Sequence, residues 1–192
     1  MTYRIWLALS LSLTTLMGCG GVGPSVIRPQ NEIGILNPSF DQVAPDGALT
    51  AWRASEHNVG QSYTFTADTV GAWSAPSSAK INRHGDEEFG LLSQQIQFQP
   101  AWGNKTLRLS AQLKSEGVSG GGGALVLQMN AGGGQILAWN HMNSARLMGT
   151  RDWKKYSIDL KALPGTYSIK VGVMLEGAGT VWADDIKLEM IN

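Results

Sequence analysis

Residues 105–113 read KTLRLSAQL, and from Leu107 onward every second side chain is apolar. Leu107, Leu109 and Leu113 fall on one face of an extended chain, and Arg108 and the other polar residues fall on the opposite face. A period of two is typical of a half-buried strand in an antiparallel sheet. The stretch therefore predicts a β-strand with one face against an apolar core.

The same alternation recurs through most of the chain. It is clearest in residues 153–160, WKKYSIDL, and 166–175, TYSIKVGVML. No window of a dozen residues shows a helical stripe. The remaining strand candidates are 33–40, 61–67, 78–83, 89–98, 124–130, 135–140 and 181–190.

Glycine and proline separate these candidates and predict turns between them. Many short strands punctuated in this way predict an all-β domain, either a sandwich or a barrel. The chain is long enough to bury one sizeable core in a single domain. The predicted turns lie at 45–47, 120–123, 132–134, 163–165 and 177–179.

The charge balance argues against nucleic acid as a partner. The 192 residues include 15 basic and 15 acidic side chains, which gives a formal net charge of zero at pH 7. A phosphate-binding face needs clustered lysine and arginine. The seven tryptophans indicate either an aromatic core or a surface on which ligands stack.

The first 19 residues, MTYRIWLALSLSLTTLMGC, have the layout of a secretory signal. Arg4 precedes an apolar run from Ile5 to Leu13, which is too short to span a membrane. The segment 16–19, LMGC, ends on the only cysteine and resembles the bacterial lipobox. That resemblance implies a signal peptide over 1–18 and a lipidated Cys19 in the bacterial cell envelope. The alternative is an ordinary signal peptide with an incidental cysteine.

The residues after Cys19 indicate where the protein is tethered and how. Gly20 stands where aspartate would retain a lipoprotein at the inner membrane of many Gram-negative bacteria, so the outer membrane is expected. Residues 20–31, GGVGPSVIRPQN, read as a flexible spacer. The predicted division is therefore a lipidated cysteine and linker over 19–32 and one folded domain over 33–192. The membrane is then reached through the lipid anchor alone.

Three further segments resemble galactose-binding-like jelly rolls, a fold that includes many carbohydrate-binding modules. They are 37–41, NPSFD, followed by Gly47 and Trp52; 105–117, KTLRLSAQLKSEG; and 181–188, VWADDIKL. They occur in the order expected of that fold. The resemblance implies a single jelly-roll β-sandwich but no particular ligand, because one fold supports many functions.

Asp184 is the most distinctive polar residue of the closing segment. In an extended strand Asp184 lies on the same face as Trp182 and Ile186, which predicts that its carboxylate points inward. A buried carboxylate needs a cation or hydrogen-bond donors. The jelly-roll resemblance implies a structural Ca²⁺ held by Asp184 and Asp41, and oxygen ligands suit Ca²⁺. The alternatives are a bulge that turns Asp184 outward, or hydrogen bonds from the main chain.

Residues 139–143, WNHMN, combine the side chains that a sugar site needs. A sugar ring stacks on an aromatic face while amides, imidazoles or guanidinium groups bind its hydroxyls. The alternative is a buried tryptophan followed by a solvated loop. The pairs Arg83-His84 and Gln94-Gln95 are expected to face this segment from other strands. The candidate ligand-binding residues are Trp139, Asn140, His141 and Asn143, with Arg83 and Gln94 from these pairs.

No catalytic constellation emerges from the sequence. Residues 117–121, GVSGG, fit a nucleophile motif by letter, but glycines follow where a helix is required. His57, His84 and His141 are too dispersed for a zinc site. The sequence therefore predicts a non-catalytic envelope lipoprotein that binds carbohydrate. The alternative is a structural or assembly lipoprotein that docks on another envelope protein.

Overall fold

The computed structural model describes residues 29–58 and 61–191. These residues form nine strands and two short 3₁₀ turns, Pro100–Trp102 and Gly132–Gly134, and they contain no α-helix. The lipobox-like segment 16–19, with Cys19, lies outside the described residues. The strands are β1 (Glu32–Ile33), β2 (Arg53–Glu56), β3 (Tyr63–Asp68), β4 (Ser78–Arg83), β5 (Phe89–Gln97), β6 (Thr106–Asn130), β7 (Ile136–Asn140), β8 (Leu147–Lys161) and β9 (Ser168–Met190).

Two very long strands, β6 and β9, form the centre of the fold. They pair antiparallel from Leu107 opposite Met190 to Asn130 opposite Ser168. One half of this pair is flanked by β5 and β7, with β2 beyond β5, and the other half by β4 and β8, with β3 beyond β4. We call the first half the groove layer (β2–β5–β9–β6–β7), after the groove on its outer face described below. The second half is the opposite layer (β3–β4–β9–β6–β8). The predicted all-β jelly-roll sandwich is confirmed.

Glycines allow β6 and β9 to pass from one layer to the other. Gly117, Gly120 and Gly122 of β6 and Gly177 and Gly179 of β9 all have positive φ. The ladder shifts register between Glu116 and Gly122, as it does at bulges. The prediction that 120–123 and 177–179 are turns between strands is therefore wrong. They are bends within strands, because two backbones approach there too closely for side chains.

The predicted alternation is correct along the first half of β6. Leu107, Leu109, Ala111 and Leu113 are fully buried. On β8 they face residues of the same parity, with Ile158 opposite Leu109. Together with the inward side chains of β5 and β9 they form one continuous core between the two layers.

The opening segment is mostly a loop, contrary to the strand predicted over 33–40. Only Glu32–Ile33 pairs, with β9, and positive φ angles at Asn37 and Phe40 interrupt any further extension. Phe40 is fully buried, and its ring centroid lies 4.8 Å from that of Trp52. The Trp52 indole N–H donates to the Asn37 carbonyl at 2.9 Å. The loop thus closes one part of the core.

Among the described residues, no helix is long and apolar enough to cross a membrane.

Candidate functional site

The outward face of the groove layer carries a row of side chains that spans four strands. Residues directly opposed in antiparallel strands point to the same face. Trp139 of β7 lies opposite Gln128 of β6, Gln128 opposite Lys170 of β9, and Lys170 opposite Gln95 of β5. We call these four residues the Trp139 row. Leu127 and Val171, the sequence neighbours of Gln128 and Lys170, are fully buried, so the side chains of the row point to solvent.

A groove of about 460 Å³ lies over this row. Tyr167 and Ile136 stand on its walls, and 55% of Tyr167 is exposed. Trp139 lies beside it, across from Gln128, with 57% of its side chain exposed. The groove therefore offers exposed aromatic surface at its edges. Its lining residues are Gln95, Gln128, Asn130, Ala131, Gly133, Gly134, Ile136, Tyr167, Ser168 and Lys170.

The floor of the groove consists of amides and a hydroxyl that hydrogen-bond to one another. Gln95 Nε2 donates to Ser168 Oγ at 3.1 Å, and Gln128 Nε2 donates to Asn130 Oδ1 at 2.6 Å. These bonds fix the side chains in place. Because each glutamine amide has two N–H donors and a carbonyl acceptor, each still has groups to offer a ligand.

Trp139 is held by its neighbour two residues along the chain. The Trp139 and His141 ring centroids lie 4.4 Å apart at an interplanar angle of 31°. His141 Nδ1 is in turn hydrogen-bonded to the Arg146 guanidinium. Burial and the positive charge of Arg146 lower the pKa of His141, so its imidazole is neutral at pH 7. The exposure of Trp139 contradicts the alternative that placed it in the core.

The two asparagines of the same segment have different positions. Asn140 Nδ2 donates to the Asp159 carbonyl at 3.1 Å, and Asn140 Oδ1 accepts from the Met142 N–H at 3.1 Å. Asn140 therefore ties β7 to β8 and to the turn after β7. Asn143 is exposed in that turn.

Gln94 and Arg83 do not join the groove, which corrects the prediction for both. Gln94 is buried and bonded to the main chain of Leu36, donating from Nε2 at 2.5 Å and accepting at Oε1 at 3.1 Å. Its exposed neighbour Gln95 occupies the groove instead. Arg83 ends β4 opposite Tyr63, in the opposite layer. The alternation in β5 indicates this outcome, because Gln94 has the parity of the core residues Leu92 and Ile96.

Asp184 is fully buried, but not in the core between the layers. It lies opposite Gln112, whereas Ala183 lies opposite the core residue Leu113. A bulge at Asp185, where φ is 48°, restores Ile186 to the core. The predicted inward direction is therefore wrong, and the alternative of a bulge that turns Asp184 away from the core is correct.

The Asp184 carboxylate is covered by the segment that precedes β4. It accepts hydrogen bonds from the Ser74 N–H at 2.9 Å, from Ser74 Oγ at 3.0 Å and from the Asp185 N–H at 2.7 Å. Burial raises its pKa, and the negative charge of Asp41 adds to the effect. Within 29–58 and 61–191, neither carboxylate has an ion pair with lysine or arginine.

The carboxylate oxygens of Asp184 and Asp41 suit a hard cation, but two carboxylates are few ligands for one. No group of three or more histidine, cysteine, aspartate or glutamate side chains is assembled in the described part of the chain. A calcium ion would therefore need main-chain oxygens in addition to the two carboxylates.

A second aromatic cluster lies on the outward face of the opposite layer. The ring centroids of Trp73 and Trp153 are 6.4 Å apart, and Trp153 Nε1 donates to the Gly71 carbonyl at 3.0 Å. Half of Trp73 and 81% of the nearby Val70 are exposed. We call Val70, Trp73 and Trp153 the tryptophan patch.

The residues that could suggest catalysis are separated. Ser119 lies in the glycine bend, opposite Ala178. His57 lies 3.8 Å from the Glu87 carboxylate, His84 Nε2 is bonded to the Gln61 carbonyl at 2.6 Å, and His141 belongs to the groove layer. No nucleophile and base are therefore brought together among these residues.

Comparison with solved structures relates the fold mainly to carbohydrate-binding modules. The CBM22-1 xylan-binding domain of Paenibacillus barcinonensis Xyn10C superposes with a TM-score of 0.54 at 13% identity, over 80% of this chain and 92% of that domain. TmCBM61 in complex with β-1,4-galactotriose gives 0.53 at 19% identity, over 81% and 97%. The enzymatically active domain of bacteriophage CBA120 tailspike protein 4 gives 0.61 at 13% identity, over 84% of this chain and 21% of that one.

Comparison by sequence finds a partial relative. An uncharacterised HTH-type transcriptional regulator of Bacillus subtilis strain 168, YbfP, is 30% identical over 105 residues. The match covers 55% of this chain and 35% of that regulator, so the chain spans about a third of the length of this relative. No model of a known protein family matches the chain.

Proposed function

We propose that this domain binds carbohydrate without transforming it, through the groove beside Trp139. The observation that supports this proposal is the combination, on one exposed sheet face, of aromatic surface with a floor of hydrogen-bonded amides. Structural similarity to modules that include a xylan-binding domain and one in complex with galactotriose agrees with it.

Each part of the groove has a role in this proposal. Trp139 and Tyr167 present apolar faces to the C–H surfaces of sugar rings, as aromatic side chains do in ligand sites. Gln95 and Gln128, which Ser168 and Asn130 hold in place, offer their remaining amide groups to sugar hydroxyls. His141 contacts the Trp139 ring and keeps it oriented, which reduces the conformational entropy lost on binding.

A polysaccharide panel tests the proposal directly. The purified protein is run in affinity gels that contain individual plant and bacterial polysaccharides, and retardation is measured for each. Retardation by at least one polysaccharide that releases no reducing ends supports non-catalytic binding. Release of reducing ends on that polysaccharide would contradict the non-catalytic part, and no retardation across the panel would contradict carbohydrate binding.

We also propose that Cys19 carries the lipid that tethers the domain to the bacterial envelope, at the outer membrane. The sequence of residues 1–20 supports this. In the membrane fraction of a Gram-negative host, we expect the intact mass to match a chain that begins at an acylated Cys19. Cys19→Ser should release the domain from that fraction. An unmodified Cys19 in the mature protein would contradict the proposal.

A second candidate function, docking on another envelope protein, is favoured by the tryptophan patch. Its exposed apolar side chains lie on the layer that the groove does not use, so docking and sugar binding are compatible. Crosslinking in intact envelopes would test it, with Trp73→Ala as the variant and Trp139→Ala as its control. A partner lost only from Trp73→Ala supports docking, and one unaffected by Trp73→Ala contradicts this role of the patch.

We propose that Ca²⁺ stabilises the fold at Asp184 and Asp41. A cation would offset the burial of one carboxylate and the repulsion between the two. Excess chelator should lower the melting temperature of the wild-type protein, because an ion that binds only the native state stabilises it. In Asp41→Asn the chelator should have little effect. An equal response in both proteins would contradict the site.

The pH dependence gives a second measurement of the same site. In chelator the pKa of Asp184 is raised in the folded state. The native protein then binds this proton more tightly than the unfolded chain, so the contribution of Asp184 to stability falls as pH rises from about 4 through the folded pKa. Excess Ca²⁺ should remove or reverse this fall. Urea unfolding at several pH values, with and without Ca²⁺, would show it.

A further inference from the structure

We propose that the groove selects acidic glycans, and that Lys170 is the residue that determines this specificity. The ligand class is a polysaccharide with carboxylate or sulfate groups, such as a polyuronate. The inference rests on the proposed function, since it concerns which sugar the same groove prefers.

Lys170 is the one residue of the groove lining that is charged at neutral pH. The other lining residues are amides, a serine, small residues, Ile136 and the phenol of Tyr167. Lys170 occupies the middle of the Trp139 row, with Gln128 on one side and Gln95 on the other. The floor of the groove therefore carries a single positive charge at its centre.

This charge has no acidic partner among the described residues. Two arginines elsewhere do have one: Arg146, in the turn before β8, lies 3.1 Å from the Glu176 carboxylate, and Arg108 lies 2.7 Å from that of Asp159. Lys170 instead projects from a half-buried position into a wall of neutral hydrogen-bonding groups. An anion bound in the groove would supply the missing counter-charge.

The half-buried position gives the charge its discriminating effect. A glycan lying across the row from Trp139 to Gln95 covers Lys170 and removes water from its ammonium group. A neutral sugar compensates that loss only with hydroxyl contacts, whereas a carboxylate forms a charge-assisted hydrogen bond, which is stronger. A neutral glycan therefore binds more weakly, because the removal of water from Lys170 is not fully compensated, and this penalty contributes to specificity.

Matched pairs of polysaccharides test this inference. Polygalacturonate, alginate and glucuronoxylan are each compared with their carboxyl-reduced forms, which keep the backbone and lose the charge. For any pair that binds, the acidic form should bind about tenfold more tightly at low salt, the ratio expected for one charge-assisted hydrogen bond. Since the pair is partly exposed, about 0.5 M NaCl should shrink that ratio.

The variant Lys170→Gln should bind both forms about equally. Its affinity for the acidic form should fall, and its affinity for the reduced form should not fall, because a bound glycan no longer removes water from an ammonium group. Lys155→Gln, on the exposed face of β8, controls for the loss of one positive charge elsewhere. Equal binding of both forms by the wild type, or equal weakening of both by Lys170→Gln, would overturn the acidic preference and leave the carbohydrate function standing. No binding of any polysaccharide would instead contradict the proposed function itself.

Discussion

Trp139→Ala should weaken binding of any glycan retained by the wild-type protein by about 30-fold, with the fold unchanged. Loss of an aromatic anchor from a binding surface costs about 2 kcal/mol or more, which corresponds to that factor. The fold should tolerate the change because 57% of Trp139 is exposed and its ring contacts His141 rather than the core. Isothermal titration gives the affinity, and urea unfolding gives the stability.

Two further variants make the Trp139 result interpretable. Trp153→Ala removes a tryptophan from the opposite layer and should leave the glycan affinity unchanged. Trp139→Phe retains an aromatic face and should recover a large part of the lost affinity. Lost affinity in Trp153→Ala together with unchanged affinity in Trp139→Ala would show that the sugar lies on the tryptophan patch instead.

The largest effect on stability is expected from Gly177→Ala. A Cβ at residue 177 would lie 2.2 Å from the Ser119 carbonyl oxygen, and φ at this position is 99°. Overpacking typically costs about 1–3 kcal/mol and the left-handed backbone a further ~1–2 kcal/mol, so we expect a loss of about 2–5 kcal/mol. The backbones at residues 177 and 119 cannot move apart freely, since they belong to the paired central strands β9 and β6. Equilibrium unfolding in urea measures the loss.

Gly132→Ala is the matched control for Gly177→Ala. No atom lies within 4 Å of the added Cβ at residue 132, and its φ is not in the left-handed region. Its stability should therefore change by about 0.5 kcal/mol at most, as for most surface substitutions. Similar stabilities for the two variants would mean that the glycine bend does not need its close backbone contact.

The layers of the fold can be predicted because the core is apolar and the strands alternate. Leu107 and Leu109 alternate with more exposed polar residues, and a half-buried strand requires that pattern. The prediction of turns at 120–123 and 177–179 is wrong for a physical reason. Glycine is required both in turns, for positive φ, and in bends inside strands, for close approach of two backbones. A run of glycines in the sequence therefore does not distinguish a turn from such a bend.

The candidate site can be predicted in part. Trp139 and His141 come together on the exposed face because they are two residues apart in an extended segment. Gln94 is a predicted site residue, but only Gln95 lies in the groove. The alternation of β5 could have shown this, because Gln94 has the parity of Leu92 and Ile96, which face the core. Lys170 is absent from the predicted site, although its flanks Ile169 and Val171 are apolar. Its alternation alone places it outward, and only the pairing shows it beside Gln128.

The wrong direction predicted for Asp184 has a similar cause. The prediction assumes that side chains alternate without a break from Trp182 to Ile186, but the chain makes a bulge at Asp185. A bulge adds one residue and reverses the parity of the residues beyond it, so the prediction is correct for Ile186 and wrong for Asp184. Two adjacent aspartates between the apolar residues Ala183 and Ile186 are a sign of the bulge in the sequence.

The position of β9 has a consequence for how the chain folds as it is made. This strand pairs with β1, β4, β5 and β6, and β1 lies more than 150 residues earlier, with Glu32 opposite Glu189. Neither layer is complete until residues 168–190 have left the ribosome. Such distant pairings form slowly. The last strand to be synthesised therefore has to be in place before either layer of the sandwich can close.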